Sequence, residues 1–294
     1  MLEPLTPVTA AGSDNARSTA LERQIDLLVQ SCQDAVRQAG DAGQAGAVRL
    51  RVVDLGGGTG SQAAGLAKQG HHVTVVDPSP NALAAVSRRA AEAGLDTLHA
   101  EQGDAENLAD LLGIGTVDLV LCHNVLEVVD DPVVALGSVR QVLRADAPVT
   151  TAPGPAPPTG AASSSSPATP PPVSGRLSLL VANRNAAIVA RVARGNLRQA
   201  HQMATDPSGS WGADDPLRRR FTPLEMAELL AKTGFAQRSV RGIHTLSDLA
   251  PYNPASEDSP DPALLEALDA YAASEPALLD ISPTLLIDAV PIRP

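Results

Sequence analysis

Val52-Val53-Asp54-Leu55-Gly56-Gly57-Gly58-Thr59-Gly60 decides how this chain is read. An apolar, β-branched run ends in an acid, and glycine then stands at positions 56, 58 and 60. A strand that breaks into glycine in this way predicts a tight turn whose backbone approaches a ligand closely. A second apolar run, His72 to Val76, ends at Asp77. A glycine turn beside an acid on the tip of the next strand is how open α/β sheets hold a nucleoside.

The pattern repeats outward from this turn. Leu50–Leu55, His72–Val76, Thr97–Glu101 and Val117–Cys122 read as strands. Helical segments lie between and after them: Ser61–Gln69, a helix opened by Ser79-Pro80 and ended by Gly94, and one opened by Asp131-Pro132 and running through Leu143. Such alternation predicts an α/β fold with a parallel sheet and helices on both faces. Upstream, Leu21, Ile25, Leu28, Cys32 and Val36 recur at helical spacing, which predicts a helix over Ala20–Gln38. Residues 1–18 read as a flexible N-terminal arm, and 19–294 as one domain.

That domain is interrupted. Between Arg144 and Arg176 there is no Lys or Arg, and nine of the chain's 25 prolines lie there, with Ser163–Ser166 in a row. This composition cannot bury a core, so 145–175 reads as a disordered insert. It follows a helix and precedes the apolar run Leu177–Val181, which predicts that it leaves from the amino ends of the strands. Ligands in open α/β sheets bind at the carboxyl ends. Beyond it, Ala186–Met203 reads as a helix and Thr222-Pro223-Leu224-Glu225 as a capping box on a helix ending at Gly234. Phe235–Leu246 reads as a strand, Asp261-Pro262 as the start of another helix, and Thr284–Val290 as the terminal strand.

Bulk composition narrows the function. A net charge of −11 argues against non-specific nucleic-acid binding, which rests on neutralising phosphates. Aromatics make up 2% of the chain, so Ala, Val and Leu must build the core. Cys32 and Cys122 are the only cysteines and form neither a disulfide framework nor a metal site. No apolar run is long enough to span a bilayer, and Met1–Ala20 lacks the form of a signal peptide, so the expected location is the cytoplasm, with no membrane and no metal.

The glycine spacing separates two cofactor classes. A nicotinamide fingerprint needs Gly-x-Gly-x-x-Gly before a helix that faces a pyrophosphate. Here the third glycine comes one residue early. Asp54-x-Gly56-x-Gly58-x-Gly60 instead resembles the class I S-adenosylmethionine-dependent methyltransferases, from about residue 20 to the end. The resemblance implies an open, mostly parallel seven-stranded sheet with the last strand antiparallel, and S-adenosyl-L-methionine as cofactor. It implies that Asp54, Gly56, Gly57, Gly58 and Gly60 form the cofactor loop and that Asp77 takes the ribose hydroxyls. Asp104 would take the adenine amino group, and the backbone N–H of Ala105 a ring nitrogen. Asp77 also reads as an acid at a helix start, and Asp104 as an ordinary loop residue. His123, at the tip of the fourth strand, reads either as a catalytic base or as a ring packed on the cofactor. Glu127 reads either as a catalytic carboxylate or as a loop tie.

A narrower resemblance lies in Gly56-Gly57-Gly58-x-Gly60 taken with His123-Asn124-Val125-Leu126-Glu127, Asn183, Ala193-Arg194-Gly195-Asn196-Leu197 and Gly242-Ile243-His244-Thr245-Leu246-Ser247-Asp248-Leu249. These look like the bacterial tRNA 5-carboxymethoxyuridine methyltransferase family, which methylates a carboxylate on a wobble uridine. The chain departs from that family at His244, where the family has arginine, and at Ser282–Asp288, where it has a basic, aromatic strand. Arg17 stands near, but out of register with, an N-terminal arginine that would reach the cofactor carboxylate. Arg218-Arg219-Arg220 is the one basic cluster and reads as phosphate contacts or as solvated surface. The acceptor therefore stays open between tRNA and a small molecule. A nucleotide-dependent dehydrogenase and a non-catalytic cofactor-binding module are the readings from other classes.

Overall fold

The computed structural model describes residues 11–39, 48–144, 175–249 and 261–292. Seven strands form one open sheet: β1 (Arg51–Leu55), β2 (His72–Asp77), β3 (Leu98–Gln102), β4 (Leu119–His123), β5 (Arg176–Ala182), β6 (Phe235–Ile243) and β7 (Thr284–Pro291), in the order β3-β2-β1-β4-β5-β7-β6. The first five run parallel, and β7 lies antiparallel between β5 and β6. The order reverses at β1, which has β2 on one side and β4 on the other. That switch point opens a crevice at the carboxyl ends of the two strands.

Alternation along the strands sends side chains into two apolar layers. Val52, Val73, Val75, Leu119 and Leu121 pack against α1 (Ala11–Ala39), α2 (Ser61–Lys68) and α3 (Pro80–Ala93). Val53, Leu55, Val120, Leu177 and Leu179 pack on the other face against α4 (Leu108–Leu112), α5 (Pro132–Val142) and α8 (Pro223–Lys232). The expected open α/β sheet with helices on both faces and a reversed final strand is therefore the one observed.

Helix starts follow the local signals. The Ser79 hydroxyl accepts the Ala82 N–H at 3.3 Å, with Pro80 in the first turn of α3. Asp131 caps α5 through the Val133 N–H at 2.7 Å. Thr222 and Glu225 form the predicted reciprocal capping box on α8.

Four expectations change. Helix α1 begins at Ala11, so residues 11–18 are helical where a flexible arm was expected; residues 1–10 and the Arg17 side chain lie outside the described residues. The helix expected over Ala186–Met203 is two, α6 (Arg184–Ala193) and α7 (Leu197–Thr205), because Gly195 between them has φ +75°. Strand β6 stops at Ile243, since His244 has φ +59°. Two short helices, α4 and α10 (Pro276–Leu279), gave no readable periodicity; the predicted helix at Pro262 is α9 (Pro262–Ser274).

Residues 145–174 of the expected insert lie outside the described residues. The Gly175 N–H donates to the Arg144 carbonyl at 2.7 Å, and the Arg144 N–H to the Val117 carbonyl at 2.8 Å. Both ends sit beside the first residues of β4 and β5, at the amino edge of the sheet.

Candidate functional site

The turn after β1 is built by two adjacent strand tips. The Gly56 N–H donates to the Val76 carbonyl at 2.7 Å, drawing the turn toward β2. At Asp77, one carboxylate oxygen accepts the Gly58 N–H at 3.1 Å and the other the Ser79 N–H at 2.8 Å. One acid thus holds both the glycine turn and the start of α3.

Asp54 lies directly beneath the turn. A β-carbon at Gly57 would stand 2.5 Å from the Asp54 carboxyl carbon, so only glycine fits there. At Gly58 the backbone is left-handed, φ +53°, and a β-carbon would meet nothing within 4 Å. The inner side of the turn is closed and its outer side is open. Asp54 and Asp77 are both buried. Burial, and then the Asp77 charge, push the Asp54 carboxyl up to about 7. Among the described residues no cationic side chain pairs with either acid.

Asp104 follows β3 at the same edge, since Gln102 is in register with Asp77. Its side chain is exposed and turns on itself, accepting the Glu106 N–H at 2.9 Å and the Asn107 amide at 3.2 Å. Ala105 is buried in the core beneath it.

His123 ends β4, opposite the turn. Its ring is held on both sides: Nδ1 lies 3.2 Å from the Gln62 amide oxygen on α2, and Nε2 lies 2.9 Å from the Ser178 hydroxyl on β5. Burial lowers its pKa to about 4, so the imidazole is neutral near pH 7. Neither Gln62 nor Ser178 stands out in the sequence, being 61 and 55 residues away. Asn124, the next residue, is exposed with φ +57°, an uncommon conformation for a residue with a side chain.

Glu127 turns away from the open edge. It is 0% exposed, and its Oε1 accepts the Ala182 N–H at 2.6 Å, tying the β4 loop to the end of β5. Burial raises its pKa against the pull of Arg219 and Arg220. Its geometry is that of the loop tie.

The arginine cluster divides: Arg218 is exposed, as the solvated reading expected, whereas Arg219 and Arg220 depart from both readings. Arg218 pairs with Asp130. The Arg219 guanidinium donates to the Leu126 carbonyl at 3.1 Å, the Val129 carbonyl at 2.5 Å and the Asp130 carbonyl at 3.1 Å. Arg220 is buried, bonded twice to Asp215 at 2.7 and 2.9 Å. The Arg191 guanidinium lies over the Trp211 ring, 4.1 Å from its centre, and the Arg220 guanidinium at 4.7 Å. All three arginines of the cluster bind protein groups: Arg218 and Arg219 hold the loop after β4, and Arg220 holds Gly209 and Asp215. Among the described residues there is no group of three His, Cys, Asp or Glu side chains placed to hold a metal, and no helix long and apolar enough to cross a membrane.

A family profile described as a methyltransferase domain matches residues 53–149, from β1 through α5 and a little beyond. The tRNA 5-carboxymethoxyuridine methyltransferase of Escherichia coli K12 is 37% identical over 100 residues, which is 34% of this chain and 38% of that protein. The match thus spans well under half of the curated relative. Among solved structures, an S-adenosylmethionine-dependent methyltransferase from Methanosarcina mazei superposes with a TM-score of 0.51 at 16% identity, covering 84% of this chain and 94% of that one. The [4+2]-cyclase SpnF superposes with a TM-score of 0.52 at 17% identity, covering 94% and 82%. The chain has the Rossmann-like fold of class I methyltransferases. The cyclase shows that this fold alone does not name a reaction.

Proposed function

We propose that the chain is an S-adenosylmethionine-dependent methyltransferase whose cofactor lies across the glycine turn, between the tips of β1, β2 and β4. The observation that carries this reading is the pair of buried acids, Asp54 and Asp77, beside a turn whose outer face is open. Two neighbouring carboxylates with no cationic side chain paired to them among the described residues suit a ligand that brings positive charge. S-adenosylmethionine carries a sulfonium and an ammonium and no phosphate, so it needs no anion cradle.

The residues divide the work. Gly56, Gly57, Gly58 and Gly60 let the ligand meet backbone. Asp77 keeps a free lone pair on each oxygen for the ribose hydroxyls, since each oxygen accepts only one backbone N–H. Asp104 and the N–H of Ala105 receive the adenine edge. His123 and Asn124 flank the place where the methyl group is presented. When bound, the cofactor supplies an electrophilic methyl group, so the chain's own task is alignment.

The acceptor is proposed on narrower grounds. The 37% identity with the tRNA enzyme and the motif His123–Glu127 support a carboxylate on a modified wobble uridine, methylated in the cytoplasm. The inward-turned Arg219 and Arg220 weaken that reading, because they leave fewer contacts for phosphates. A small-molecule acceptor is the second reading, and that inward geometry favours it. The test is calorimetric titration with S-adenosylhomocysteine and with NAD(H), then mass spectrometry of tRNA nucleosides from a deletion strain. Binding of the first ligand only, with loss of a methyl ester, is expected. Binding of NAD(H) alone overturns the cofactor reading; unchanged nucleosides overturn the tRNA acceptor.

A further inference from the structure

His123 lies between an amide and a hydroxyl, both neutral, on two different elements. Gln62 sits in the first turn of α2, directly after the glycine turn. Ser178 is 1% exposed in β5, so its hydroxyl has no water to turn to. A buried hydroxyl needs a partner, and the one it has is Nε2.

The two contacts together choose a tautomer. With the Gln62 amide oxygen toward the ring, Nδ1 carries the proton and donates to it, and the Ser178 hydroxyl, able to donate or accept, fits the same tautomer. Nε2 is then the bare nitrogen, and the Ser178 hydroxyl donates to it. The lone pair that a catalytic base would use is occupied from inside the sheet. No charged group contributes to the low basicity of the ring; burial is its cause. Glu127, the next titratable group along the loop, is turned into β5.

We propose that Gln62 and Ser178 are positioning residues that hold His123 as a neutral, Nδ1-protonated ring, so that His123 orients the reactants and takes no proton. This rests on the methyltransferase reading above. Its chemical consequence is that the acceptor must be nucleophilic on arrival. An acceptor anion forms the new bond to the methyl carbon with its own lone pair while the carbon–sulfur bond breaks and its electron pair returns to sulfur. The charges of anion and sulfonium cancel, and no proton leaves.

The test uses the full chain labelled with ¹⁵N-histidine, without cofactor or acceptor. The His123 nitrogens are assigned by comparison with His123→Gln and followed between about pH 5 and 8. Wild type should stay neutral, with the proton on Nδ1, throughout. Ser178→Ala should leave Nε2 without its partner and populate both neutral tautomers, and Ser178→Thr should restore the single Nδ1-protonated form. Gln62→Ala, on the surface side, should scramble the tautomer and tests the same idea without altering the core. A wild-type ring that titrates between about pH 5 and 8 overturns the proposal, as do variants whose His123 tautomer matches wild type. Separate titration of wild type with S-adenosylhomocysteine reads the underlying function. Failure there leaves the histidine result standing, so the two failures are distinguishable.

Discussion

The Gly58 N–H donates to the Asp77 carboxylate at 3.1 Å, joining the glycine turn of β1 to the tip of β2. Because the second Asp77 oxygen holds the Ser79 N–H, this acid both builds the turn and faces the ligand. Asp77→Ala should therefore lower affinity for S-adenosylhomocysteine by about 2 kcal/mol, roughly 30-fold in Kd, with the fold retained. Calorimetry checks the affinity and circular dichroism the fold. An unchanged Kd sinks the ribose role.

Gly57 faces Asp54 with no room for a methyl group. Gly57→Ala should cost about 1–3 kcal/mol of stability by overpacking, read from urea melts. Removing the carboxylate should relieve the clash. In the double variant Asp54→Ala/Gly57→Ala the glycine change should cost at least about 0.5 kcal/mol less than it does alone. Strict additivity would show that the two residues are not in contact.

Asp54 has a pH signature. Its folded pKa, about 7, lies above the ordinary 3.8. The folded chain therefore holds a proton there that the unfolded chain has lost. This contribution to stability is complete below the ordinary value and disappears as pH rises through about 7. A cationic ligand favours the ionised acid, so cofactor binding at about pH 6.5 should release part of a proton. Titration in two buffers of different ionisation enthalpy measures it. Asp54→Asn should abolish the release, and a wild-type value of zero would refute the linkage.

Arg219 gathers three carbonyls of the loop after β4. Arg219→Ala should cost about 1.5–3 kcal/mol, since bonds from a charged donor are lost. Arg219→Lys should recover less than half, because an ammonium cannot reproduce the planar fork. Thermal melts decide this. A phosphate-binding surface arginine would leave stability unchanged.

Arg144 and Gly175 are hydrogen-bonded to each other at the edge opposite the glycine turn. Replacing residues 145–174 by a short Gly-Ser linker should leave the Kd for S-adenosylhomocysteine within about twofold. A loss of tenfold or more would mean that the segment acts on the site.

Much of the fold is legible because its causes are local. Ser79-Pro80, Asp131-Pro132 and Thr222 with Glu225 announce helix starts, since a cap is decided within three or four residues. That Val52 packs in one apolar layer and Val53 in the other follows from the geometry of a strand. Five-residue α4 and four-residue α10 are too short to show a period. The split between α6 and α7 was there to be read in Gly195, inside an otherwise helical stretch.

The order of residues by itself determined the glycine turn, the acids Asp54, Asp77 and Asp104 at strand tips, and the open parallel sheet that brings them to one edge. Each depends on backbone preference and on periodicity over a few residues. Only the tertiary structure decided what those residues touch. It turned Glu127 into β5, spent Arg218, Arg219 and Arg220 on the protein's own groups, and placed His123 between Gln62 and Ser178. These pairings join residues 55 or more positions apart, except Arg220 with Asp215. Burial makes each of them obligatory, because a polar group withdrawn from water must find its partner wherever the folded chain supplies one.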